Sequence, residues 1–256
     1  MPSPRTAKAF APAQVTLALH GGARLVVPSD IGDEVTAYPA NAVEITIVGE
    51  LADTMPESDV ERLRKAAQLG AVDRGVRVVV DKLTPSMDAS ASLAAATLRA
   101  ANRLTGAKLP PFPRSLEPDV AAAATVKNAR LQGTMMSHVT LPPIFAVLIH
   151  SGHEAPYVPE TGEADIPDIS GLNVEETLNG LATLRNDAEP ALREALPELE
   201  EVLDQLSLAP GCKFARAVGA STTCLGVFPD RATAVGAAAL LADRYPAWWV
   251  ASSQLK

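Results

Sequence analysis

The order of periodic segments after residue 144 narrows the fold of this chain more than any other feature. "IFAVLIH" (144–150) is a near-continuous apolar run that predicts a buried strand. "NVEETLNGLATL" predicts a helix, and "DAEPALREALPELEEVLDQLSL" a longer one, because Leu192, Leu196, Leu199, Leu203 and Leu206 fall on one face at a spacing near 3.6. Asp187 and Glu189, with Pro190, mark the first turn of that longer helix, where negative charge suits the dipole. "CKFARAV" and "TTCLGVF" read as two strands split by "GAS". A helix through "RATAVGAAALLADRY" and a last strand "AWWVASS" follow. Strand, helices, strand, strand, helix, strand is the split βαβ order.

The first half is richer in strands. Apolar or alternating runs occur at "QVTLALH" (14–20), "ARLVVP" (23–28), "VEITIVG" (43–49) and "VRVVVDKL" (76–83). "ESDVERLRKAAQLGAV" predicts a helix whose start is read at Ser58, before Asp59 and Glu61. "ASLAAATLRAANRL" predicts a second helix, and "GAKLPPFPRSLEPDV" is a proline-broken connection leading to a short helix through "AAAA". The expectation is an α+β chain of two domains, residues 1–140 and a ferredoxin-like 141–256, divided near "TLPP".

Composition excludes several classes of partner. The chain has 256 residues, 47% of them hydrophobic, enough for a real core. Aromatics are only 4%, so that core must be built from small interdigitating side chains. A formal charge of −8 without a Lys/Arg cluster argues against nucleic acid. No apolar run approaches the roughly 20 residues of a membrane helix. The start "MPSPRTAKAF" has no apolar stretch of the secretory kind, so the expected location is cytoplasmic. Cys212 and Cys224 read as isolated buried thiols.

The junction "VRVVVDKLTPSMDASASLAAATLRAANRL" bears most on function. A strand-turn-helix junction presents unpaired amides and a positive dipole end, which is a ready seat for an anion. Phosphate-binding junctions usually carry glycines, since only a residue without Cβ lets the backbone close around phosphate oxygens. None occurs here.

Together, "FAPAQVTLALH", "SDIGDEVTAYPA", "AAATLRAANRL", "EPDV", "LRNDAEPALREALPELEEVLDQL" and "ARAVGASTTCLGVFPDRATAVGAAALLADRYPAWWVASSQL" resemble the GHMP small-molecule kinases, within them the 4-diphosphocytidyl-2-C-methyl-D-erythritol kinases. The likeness covers nearly the whole chain. It implies the GHMP kinase fold, a ribosomal-S5-like N-terminal domain and a ferredoxin-like C-terminal domain, with ATP and Mg as cofactors if the chain is active. It also implies that residues 86–92 occupy the family's glycine-rich phosphate loop. Where that loop has bare glycines, this chain has Asp88, Ala89, Ser90, Ala91 and Ser92. At about 4 Å and an effective dielectric near 20, a carboxylate facing a phosphate costs about 4 kcal/mol before screening, roughly a thousandfold in affinity. Ser90 and Ser92 read either as helix caps or as hydroxyls offered to phosphate.

The resemblance places Asp119 on the catalytic base, although an Asp after Pro118 is also an ordinary helix cap. It places Gln14 where the family has a lysine that polarises the acceptor hydroxyl, with Lys8 too far upstream to replace it. Gly219, Ala220 and Ser221 stand at the family's Gly-Ser-Gly turn, retaining one glycine of two; a plain β-turn is the simpler reading. A base-binding segment after the first strand is missing, and His20 reads as structural. His150, His153 and Glu154 supply too few ligands for a divalent metal, so no metal site is expected. These departures lead to a GHMP-kinase-like chain with weak or no kinase activity, binding another small-molecule ligand or a protein partner. The alternatives are an active ATP-dependent small-molecule kinase, and a non-catalytic subunit that docks through residues 151–171.

Overall fold

The computed structural model describes residues 6–72, 74–85, 89–106, 118–133, 135–153, 155–156, 158 and 165–256, the side chains of residues 89, 118, 119, 121 and 122 excepted. Two compact units emerge: residues 1–13 with 31–126, and residues 14–30 with 127–256. The first two strands, β1 (Ala7–His20) and β2 (Ala23–Pro39), each contribute to both units, which a linear division at residue 140 does not express.

In the first unit, β3 (Val43–Val48) lies parallel to β4 (Val76–Asp81), in register from Val43 opposite Val76 to Val48 opposite Asp81. The later part of β2 runs antiparallel to β4, from Glu34 opposite Asp81 to Pro39 opposite Val76. Helices α1 (Glu57–Ala71), α2 (Ala89–Thr105) and α3 (Pro118–Thr125) complete this unit. Its core is built of Ala and Val, as the scarcity of aromatics requires: Val35, Val76, Val78 and Val80 from the strands, Ala66 and Ala67 from α1, Ala94 to Ala96 from α2. Small side chains let α1 and α2 pack closely. A Cβ added at Gly70 would stand 2.7 Å from the Leu98 carbonyl oxygen and 2.9 Å from Ala101 Cβ.

Ser58 does not start α1. The N-cap is Pro56, Glu57 and Asp59 fill the first turn, and no side chain caps the helix. Pro56 is extended (φ −69°, ψ 151°) and cannot itself continue a helix backwards, so the boundary falls at the proline.

In the second unit, β7 (Ile144–His150), β8 (Phe214–Ala217), β9 (Thr223–Phe228) and β10 (Trp249–Leu255) form an antiparallel sheet in the order β10-β7-β9-β8. Counted along the chain this is fourth-first-third-second, the ferredoxin-like arrangement that the segment order predicted. Two further strands, β5 (Ala129–Gln132) and β6 (Met135–His138), extend the early part of β2, with Ala23 opposite Gln132 and Val26 opposite Ala129. Their four-residue lengths leave little periodicity for a sequence reading to detect.

Helix α4 (Val174–Thr183) begins with a complete capping box between Asn173 and Glu176. The long leucine helix is two helices, α5 (Glu189–Ala195) and α6 (Glu198–Leu208). Pro197 lacks an N–H to continue α5 and disfavours helical geometry at Leu196, which sits at φ −135°, ψ 85°. The leucine face survives the break. Leu192 of α5 and Leu199, Leu203 and Leu206 of α6 are buried with Val147, Ile149, Cys224 and Phe228 of the sheet, and Leu196 packs at the edge of that core. Helix α7 (Arg231–Arg244) covers the same core with Ala234, Ala237, Ala238 and Leu241, and Asp230 caps it by accepting from the Thr233 amide. Cys212 and Cys224 are free thiols, and burial pushes the Cys212 thiol up to about 11. No helix among the described residues is long and apolar enough to cross a membrane.

Candidate functional site

The residues that the sequence singled out for a site fall in both units. In the first unit, the connection from β4 to α2 is organised by a buried ion pair. Lys82 Nζ lies 3.0 Å from Asp33 Oδ2, and the two side chains are only 1% and 2% exposed. The other Asp33 oxygen accepts from the amides of Leu83 and Thr84, both at 2.8 Å, and from the Thr84 hydroxyl at 3.0 Å. Lys82 also donates to the Thr84 carbonyl. Burial lowers the Lys82 pKa and Asp33 opposes that effect.

Helix α2 starts at Ala89, so Ser90 and Ser92 are its second and fourth residues rather than its caps. Asp88 lies outside the described residues together with Ser86 and Met87. The Ser90 hydroxyl accepts from Arg62 Nη1 at 2.6 Å. It also hydrogen-bonds Asp59, whose pKa is raised by burial against the opposing pull of Arg62 and Ser90. Ser92 is 1% exposed, and its hydroxyl has no hydrogen-bond partner among the described residues. Asp119 is the second residue of α3, and its side chain is not described. Lys8 lies at the surface, 3.7 Å from Glu34.

In the second unit, the turn between β8 and β9 is closed by its own hydrogen bonds. The Ser221 amide and hydroxyl both donate to the Val218 carbonyl, at 3.0 and 2.8 Å, and the Ser221 oxygen accepts from the Thr223 amide at 3.3 Å. Gly219 has φ 53°, and a Cβ there would stand 3.1 Å from the Thr16 side chain, so a larger residue would be strained by its backbone and would press on its neighbour. Asn186 clamps the turn by donating to the carbonyls of Ala217 and Gly219, at 3.0 and 2.9 Å. Gln14 is 4% exposed.

The hairpin between β1 and β2 is tied down beside that clamp. His20 Nδ1 and the Gly21 amide both lie 2.9 Å from Asp187 Oδ2, and the Leu19 and Asp187 amides exchange backbone bonds with Arg185 and Leu19. His20 therefore has a structural partner. Burial works to raise the Asp187 pKa, but the Gly21 amide, His20 and Arg185 outweigh it and hold the carboxyl below its ordinary value of 3.8. A carboxyl lowered in the folded state contributes stability above its unfolded pKa and loses that contribution as pH falls through the folded one. Asp187→Asn is expected to cost about 1 kcal/mol at pH 7, with the difference from the parent shrinking as pH drops below about 4. Urea denaturation of both proteins across that range checks it.

His150, at the end of β7, lies 3.4 Å from the hydroxyls of Thr222 and Thr223, while Thr222 also donates to the His153 carbonyl at 2.6 Å. Glu154 falls outside the described residues, and among the described ones no group of three or more His, Cys, Asp or Glu is placed to hold a metal. The end of the 151–171 segment is held by its own chain. Ile166 and Ile169 are buried, and Arg130 donates to the Ile166 carbonyl at 3.0 Å.

No protein-family model matches the chain. It is 34% identical to a 4-diphosphocytidyl-2-C-methyl-D-erythritol kinase of Dinoroseobacter shibae, over 100% of this chain and 97% of the relative. It is 32% identical to a protein of the same name from Cereibacter sphaeroides, over 97% and 99%. The first alignment spans 280 positions against 256 residues here, so the relative carries segments that this chain lacks. Among solved structures, a 4-(cytidine 5'-diphospho)-2C-methyl-D-erythritol kinase superimposes with a TM-score of 0.75 at 23% identity, over 97% of this chain and 98% of that one. The homoserine kinase from Cytophaga hutchinsonii does so with 0.67 at 16%, over 100% and 96%. At these identities the solved structures establish the GHMP kinase fold.

Proposed function

Because the chain belongs to the 4-diphosphocytidyl-2-C-methyl-D-erythritol kinase family, we propose that it is a member with weak or no phosphotransfer activity, retained to bind another small molecule or a protein partner. The observation that carries this reading is the state of the polar groups at the start of α2. Lys82, the only cation in residues 82–92, is buried against Asp33, and the Ser90 hydroxyl is occupied by Arg62.

A kinase of this family would hold the triphosphate of ATP with Mg²⁺ at such a junction, and these residues do not fit that load. Phosphoryl transfer asks little covalent chemistry of a protein and much positioning and charge neutralisation. Residues 82–92 contain no glycine, Ser92 is buried, and the family's first-strand lysine is replaced by the neutral, buried Gln14. In the second unit the Ser221 hydroxyl is engaged within its own turn.

Two observations favour the alternative, an active ATP-dependent kinase. Asp119 is retained near the start of α3, and the relatives carry the kinase name. Incubation with Mg-ATP and 4-diphosphocytidyl-2-C-methyl-D-erythritol, following ADP release, separates the two. The expected result is no release above that of Asp119→Asn. Turnover that falls by roughly 10²–10⁴ in Asp119→Asn would establish the active enzyme instead.

A further inference from the structure

A groove of about 370 Å³ lies within the second unit, lined by Val174, Glu175, Leu178, Asn179 and Ala182 of α4, with Lys213, Phe214 and Pro229 opposite. That volume is in the range of small-molecule clefts, roughly 300–1,000 Å³. Its position separates it from the Gly219 turn. Phe214 opens β8 and Pro229 follows β9, so the groove lies at the opposite end of the β8–β9 pair from the Gly219 turn.

The lining divides into an apolar body and two opposed charges. Val174, Leu178 and Ala182 stand at spacings of four along α4 and present one apolar stripe, of which Val174 is 46% exposed. The Phe214 ring is fixed from within the unit. The Arg216 guanidinium sits 5.0 Å from its centroid, and Arg216 Nη2 donates to the carbonyl of Ala182 at 3.3 Å, joining the two walls. Lys213 and Glu175 supply one positive and one negative charge, and neither side chain is paired with another described residue. Asn179 adds an amide that can donate and accept.

We propose that this groove is a binding site for a small zwitterion with an apolar body, the chemistry of a free apolar or aromatic amino acid. The carboxylate meets Lys213, the ammonium meets Glu175, and the side chain lies along the α4 stripe against Phe214. An anion alone would face Glu175 and a cation alone would face Lys213, so the pair of charges selects a molecule that carries both.

L-Phenylalanine is the probe, titrated into the full chain by calorimetry, with 3-phenylpropionate and phenethylamine as the singly charged analogues. Saturable binding of L-phenylalanine is expected, weakened at least about fivefold in each analogue and about tenfold in Lys213→Glu. Ala182→Trp, a substitution at an exposed position whose folding is checked by circular dichroism, should abolish binding by filling the groove. Absence of saturable L-phenylalanine binding in the parent chain would overturn the proposal, as would binding that Ala182→Trp leaves intact. So would equal binding of the analogues. A dimer that Ala182→Trp dissociates, in a chain that binds no L-phenylalanine, would assign the groove to a second copy and likewise overturn it.

Discussion

Replacing Asp33 with alanine is expected to lower the unfolding free energy at pH 7 by about 3–5 kcal/mol, because it leaves the Lys82 ammonium buried without its counter-charge. The substitution also removes the acceptor for the Leu83 and Thr84 amides, so the connection into α2 loses its anchor. The pH dependence follows from the direction of the Lys82 shift. Burial already lowers its pKa below 10.5, and without Asp33 the lowering deepens. The unfolded chain then binds more protons than the folded one over a wider window below 10.5, so the variant should gain stability as pH rises through it. Removing both partners, as Asp33→Leu with Lys82→Met, is expected to be less costly than Asp33→Ala alone, since no uncompensated charge remains. Urea denaturation measures all three proteins. A loss below about 1 kcal/mol in Asp33→Ala would mean that the pair is not desolvated as described.

Arg216→Ala should cost about 3 kcal/mol in the second unit. Arg216 is 8% exposed and donates to the carbonyls of Leu17, at 2.9 Å, and Ala182, at 3.3 Å, bracing β8 against β1 and α4. Burial lowers its pKa while the nearby Glu189 charge opposes, and its removal leaves the two carbonyls without their donor, Glu189 keeping its ion pair with Arg193. Arg216→Lys is expected to recover little. An ammonium cannot reproduce the planar fork that reaches both carbonyls while stacking on Phe214. Thermal unfolding followed at a probe within the second unit checks the loss, and an Arg216→Ala protein as stable as its parent would remove Arg216 from the account.

Much of the fold was legible because its periodic segments are long. The β7 to β10 order announced the ferredoxin-like sheet, and the leucine face of residues 192–206 was read correctly even though Pro197 divides it into two helices. Apolar spacing alone does not register a single residue that cannot donate a backbone bond. β5 and β6 went unread because four residues hold too little pattern.

The candidate site was legible mainly as a list of residue types. Missing glycines and the Gln14 substitution stand in the sequence. The engagement of Lys82 by Asp33 does not, because the partners are 49 positions apart and meet only once β2 and β4 pair. The Arg62–Ser90 bond is hidden for the same reason, joining α1 to α2 across 28 positions. The signal available was the lysine directly following the apolar strand "VRVVVD", where a charge next to a buried run calls for a partner.

Equilibrium binding of Mg-ATP to the purified chain tests most directly whether the kinase outline has lost its hold on a triphosphate. Calorimetry at physiological salt should give no saturable binding, or a dissociation constant weaker than about 1 mM, the level at which a phosphate cradle contributes little. A micromolar constant that is lost when ADP and adenosine replace ATP would show the γ-phosphate gripped after all, and would contradict the account.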